Sequence, residues 1–150
     1  MKIKIVLLTA LLSLPLLADA EGLKLKSSQG EFDQYTGQIT LSGEYSYYFE
    51  DEVLGDVVCF HPYMPSDQLI PRSAHDQRSR WFCFNQTNQA IKAFKINKKP
   101  KEGYEGYTGH ATVTVGDYAV YKDESEGFDT AKLISVKKAE APRLVKKSGY

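Results

Sequence analysis

The chain has 150 residues, with 19 Lys and Arg against 19 Asp and Glu, so its formal charge is zero. That length holds one ordinary domain, and a neutral balance excludes a protein that binds nucleic acid through bulk charge. A content of 12% aromatic beside 25% charged residues excludes a disordered or collagen-like chain.

The first twenty residues read as an export signal. Two lysines precede the apolar run Val6 to Leu17, and Ala18-Asp19-Ala20 puts small residues at the two positions that signal peptidase reads. The run falls short of the roughly 20 apolar residues that a membrane-spanning helix needs. The only cysteines, Cys59 and Cys83, lie far from the cleavage site, so no lipid attachment is expected there. The mature chain is therefore expected in the periplasm or outside the cell, with no membrane anchor after cleavage. Removing Lys2, Lys4 and Asp19 leaves 17 basic residues against 18 acidic ones.

Residues 21–37 form a polar segment in which Leu23 and Leu25 alternate with lysines, suggesting a short edge strand. The first strong signal is Gln38 to Phe49. Ile39, Leu41, Gly43, Tyr45, Tyr47 and Phe49 share one face and polar residues the other, the period of a half-buried strand. Gly43 in its middle suggests a bulge or sharp bend. Further strands are expected from about Gly55 to His61 and Arg80 to Phe84, separated by a loop that Pro62, Pro65 and Pro71 keep irregular. Over 85–94 the period changes: Ala90, Ile91 and Phe94 share a helical face, and Asn85 or Thr87 suits the N-cap. His110 to Lys122 is again strand-like. Its phase breaks at Gly116-Asp117, either one bent strand with a bulge or a hairpin of two. A last strand is expected over 129–136, and 139–150 reads as a flexible basic tail.

Three strands, a helix and two strands predict a mainly β domain over 38–138. The expected form is a small five- to six-stranded OB-like barrel with one short helix between strands three and four. A six-stranded sandwich is the competing arrangement.

Within that frame, Cys59 and Cys83 sit in successive strands of an exported chain and are expected to form a structural disulfide. His61, His75 and His110 match no compact zinc spacing, and no Gly-flanked nucleophilic serine occurs, so no catalytic residue, metal ligand or cofactor motif is assigned. The charge layout is more pointed. Glu50, Asp51, Glu52 and Asp56 form one connection without a basic residue, and Asp123, Glu124, Glu126 and Asp129 form another. In an OB-like barrel these two loops flank the binding face, so they would pool into one acidic rim, the wrong sign for nucleic acid. Arg72, Arg78 and Arg80 fall within nine positions and either hold an anion or pair internally. Tyr48 points outward, opposite to Tyr45 and Tyr47.

The expectation is an exported, non-enzymatic binding domain whose acidic rim engages a cationic protein or ligand, an inhibitor or immunity protein being one such case. Its partner-binding set is Glu50, Asp51, Glu52, Asp123, Glu124, Glu126, Tyr48, Arg72, Arg78 and Arg80. The rivals are a small envelope hydrolase using loop carboxylates with His61 or His75, and a structural envelope component.

Overall fold

The computed structural model describes residues 22–123 and 127–149. The expected signal segment, Glu124 and Glu126 lie outside the described residues. One sheet holds eight strands: β1 (Lys24–Gln29), β2 (Phe32–Thr36), β3 (Gln38–Tyr48), β4 (Cys59–Pro62), β5 (Phe82–Phe84), β6 (Tyr104–Tyr121), β7 (Asp129–Ala139) and β8 (Arg143–Lys146). A 3-10 turn, Ser66–Leu69, follows β4, and the α-helix α1, Thr87–Ala93, follows β5. The pairing path runs β1-β2-β6-β3-β4-β5-β7, and β7 pairs again with β6, so five strands form a ring of pairings. Every pair is antiparallel except β5 with β7.

Side-chain alternation builds the core. In β3, Ile39, Leu41, Tyr45 and Tyr47 are buried while Gln38, Thr40, Ser42 and Tyr48 are exposed. They meet Val58 just before β4, Phe60, Phe82 and Phe84 from the short strands, and Val113, Val115 and Tyr118 from β6. The helix adds Ala90, and Phe94 just beyond it stacks on Tyr45 with ring centroids 4.2 Å apart. Each such side chain contributes about 1.5–3 kcal/mol by leaving water, and aromatic residues supply much of this core.

The structure corrects several expectations. The described residues form eight strands rather than five or six, so the helix follows the fifth strand instead of lying between the third and fourth. The described part of the polar segment, 22–37, holds the β1–β2 hairpin, turning at Gly30 with φ +66°. Its polar faces stay accessible, which is why hydrophobic alternation marked it only weakly. At the other terminus, β8 pairs with the start of β6 rather than fraying. Residues 104–121 form one strand, with a register shift against β7 between Gly116 and Ala119 and positive φ at Asp117. The helix is capped by neither Asn85 nor Thr87: its N-cap is Gln86, without a side-chain cap bond. Gly43 marks no bulge, since its register with both neighbours is regular. It is required by close approach instead, because a Cβ there would lie 2.3 Å from the His61 carbonyl oxygen.

Candidate functional site

The β3–β6 register decides where the charged loops go. Tyr48, at the end of β3, lies opposite Gly106, whereas Gln38, at its start, lies opposite Gly116. Phe49 then donates its N–H to the Glu105 carbonyl. The loop carrying Glu50, Asp51 and Glu52 therefore leaves beside the start of β6. Asp123 follows the end of β6, at the opposite end of the pair. One acidic rim is not formed among the described residues, because antiparallel pairing sends the connections after β3 and after β6 in opposite directions.

Several of these acids also have local work. Asp51 Oδ1 accepts the N–H groups of Val53 and Leu54, each at 2.8 Å, fixing a turn. Asp56 accepts the Tyr47 hydroxyl at 2.8 Å and pairs with Lys98. The Lys98 contact, then the Tyr47 hydrogen bond, holds the Asp56 carboxyl below its usual range. Burial, followed by the Asp56 bond, pushes the Tyr47 phenol up to about 12. Tyr48 is 38% exposed at this same end, as expected from its place in the strand.

At the far end the arginine loop folds inward. Arg72, with a side chain only 3% exposed, places Nη1 2.7 Å from Asp129 Oδ2 and donates to the carbonyls of Pro71 and Ser79. Asp129 also accepts the Tyr118 hydroxyl and the Tyr121 N–H, each at 2.9 Å, and so is a buried anchor rather than a rim acid. Arg78 grips both oxygens of Asp76, at 3.0 and 2.7 Å, and donates to the Tyr121 carbonyl at 2.6 Å. Arg80 donates to the Ile70 carbonyl. Of the two roles open to these arginines, internal pairing is the one seen.

The Arg78 hydrogen bond, more than any other cause, lowers the Asp76 carboxyl to about 2 from its ordinary 3.8. Folded-state depression means stability that is fully present above pH 4 and is lost as pH falls through 2. The expected contribution is about 1–2 kcal/mol after allowance for partial solvation. Melting temperatures of wild type and Asp76→Asn should therefore converge between pH 4 and pH 2. Parallel curves would show that the ionised form of Asp76 contributes no stability.

This folding leaves a polar cavity of about 390 Å3 between β2 and the arginine loop. Asp33, Tyr35, Arg72, Asp76, Arg78 and Lys122 supply its polar and charged walls, with Ser73 among the other lining residues. A smaller cavity of about 190 Å3 lies on the other side of Arg72 and Arg78, walled by Trp81 and Phe128. There, Trp81 is near-parallel to both His61 and Phe128, with centroids 5.6 and 5.8 Å apart, making a three-ring ladder across neighbouring strands. Loss of hydration lowers the His61 pKa, with Glu44 opposing.

Sequence reasoning missed Asp33 and Tyr35. Their spacing of two does put them on one face of β2, the signal that was available. The ladder was missed because its three rings come from distant segments. Of the loop histidines, His61 belongs to the ladder and His75 is exposed on the arginine loop. His110 meets the Tyr63 hydroxyl through Nδ1, and Arg143 Nη2 lies 3.5 Å from its Nε2. No group of three or more His, Cys, Asp or Glu among the described residues is placed to hold a metal. Comparison with family models, curated proteins and solved structures finds no match.

Proposed function

We propose that the chain is an exported, non-enzymatic binding domain whose recognition surface is the end of the ring where the arginine loop, the β1–β2 hairpin and the β6–β7 connection meet. The observation that carries this reading is the 390 Å3 polar cavity, a volume in the range of small-ligand sites. Export is supported by the charged, apolar and A-x-A pattern of residues 1–20 and by the Cys59–Cys83 disulfide, which suits an oxidising compartment. We read the ring β3-β4-β5-β7-β6 as an OB-like barrel, with the parallel β5–β7 pair joining its third and fifth strands. In such barrels the connection between the last two strands borders the ligand. Here that connection supplies Lys122, Gly127 and Phe128 to the two cavities.

Capture from an envelope extract tests the surface. Wild-type protein should retain a ligand or partner that Ser73→Trp, which fills the cavity mouth, releases. Reversing Glu50, Asp51 and Glu52 to lysine should leave capture intact. The opposite pattern, loss on charge reversal and survival of Ser73→Trp, would overturn this assignment in favour of the acidic loop and a cationic partner.

A further inference from the structure

The charges lining the cavity are already matched. Arg78 Nη2 lies 2.7 Å from Asp76 Oδ2, Lys122 Nζ 3.7 Å from Asp33 Oδ1, and Arg72 Nη1 2.7 Å from Asp129 Oδ2. An ionic ligand would have to separate one of these pairs or enter beside a like charge, and separating the buried Arg72–Asp129 pair is the costliest of these. A hydroxyl group avoids both penalties, since it donates to a carboxylate and accepts from a guanidinium or ammonium at the same time. Carboxylates in such pairs retain lone pairs for further donors.

Arg72 supplies a second observation. Arg72 Nε is the one buried side-chain nitrogen or oxygen among the described residues with no hydrogen-bond partner. Its nearest recorded carboxylate oxygen, Asp76 Oδ2, is 3.6 Å away, too far for a hydrogen bond. A buried donor left without an acceptor costs about 1–3 kcal/mol. Arg72 is one of the residues lining the cavity, and a ligand oxygen within reach of its Nε would remove that cost. The Tyr35 phenol and Ser73 add polar side chains to the lining, while Pro71 and Val120 supply apolar surface for C–H groups.

We propose that this cavity binds a neutral, hydroxyl-rich ligand of the saccharide class, with Asp33, Asp76, Arg72, Arg78 and Lys122 as its charged contacts. The proposal rests on the reading of this end as a binding surface and specifies what that surface takes. The chemistry required is a ligand bearing neighbouring hydroxyls and no net charge. At about 390 Å3 the space exceeds the 150 Å3 or so of a cavity that holds one benzene ring, so it accepts one or two sugar rings.

The test is an amide and side-chain NMR titration of the full mature chain with glucose, N-acetylglucosamine and a disaccharide, beside acetate, inorganic phosphate and glycine. Saturable shifts at Tyr35, Ser73, Val120 and Lys122 are expected with at least one sugar and with none of the ionic probes. Tyr35→Phe should weaken that sugar roughly tenfold, the equivalent of one hydrogen bond, and Ser73→Trp should abolish binding while the remaining spectrum stays folded. Saturation by acetate, phosphate or glycine in place of sugar would overturn the ligand class and leave the binding-surface reading standing. Silence from every probe would also overturn the class. The capture experiment, read with Ser73→Trp, then decides the surface independently.

Discussion

Asp129→Ala is expected to destabilise the protein by about 3–5 kcal/mol, the cost of leaving a buried charge without its partner. Asp129 is 2% exposed and joins three groups at one point: the Arg72 guanidinium, the Tyr118 hydroxyl and the Tyr121 N–H. Removing it strands Arg72, whose side chain is 3% exposed, and a phenol that is itself fully buried. Burial, more than Asp129 itself, already drives the Tyr118 phenol well above its usual pKa, so ionisation offers no relief. Equilibrium urea unfolding reads the effect as a lower midpoint at constant slope. The double variant Arg72→Met/Asp129→Leu should be markedly more stable than Asp129→Ala alone, because it removes both charges and keeps apolar volume. If the single and double variants lose equal stability, packing rather than charge explains the site.

That arrangement also shows what a sequence reader meets and misses. Strands with one buried face announce themselves, and β3 was legible nearly to the residue because Ile39, Leu41, Tyr45 and Tyr47 alternate with polar groups. The disulfide faces were legible for the same reason: Cys59 pairs with Cys83 and Phe60 with Phe82, while the phenylalanines turn to the core. Strands without that contrast were marked weakly or lost: the β1–β2 hairpin showed only as one short edge strand and β8 read as a tail, because their stability comes from pairing, of β2 and β8 on β6. The charge clusters were visible as composition, yet their meeting points depend on register. One cluster split because two loops leave opposite ends of a strand pair. Of the clustered arginines, Arg72 was drawn inward by Asp129, which sequence had counted as a rim acid, while Arg78 turned to Asp76 on its own loop. Long-range pairing is the part that local pattern does not encode.

Reduction of Cys59–Cys83 is expected to cost about 3–4 kcal/mol, from the chain entropy regained when a cross-link spanning 24 positions is opened. For a chain of this size that corresponds to a fall in Tm of roughly 10 °C. The effect should be localised, because β4 has four residues and β5 only three, and just two residue pairs join them. The bond thus reinforces the most thinly paired contact of the five-strand ring, and both sulfur-bearing residues are almost fully buried. Hydrogen exchange after reduction should rise first at 59–62 and 82–84, with Trp81 fluorescence changing in step because its ring stacks on His61 across that seam. Amides of the long β3–β6 pair should remain protected until global unfolding. The Cys59→Ala/Cys83→Ala variant should reproduce the loss without any reductant. A reduced protein whose midpoint and exchange pattern match the oxidised one would show that the aromatic core alone closes the ring.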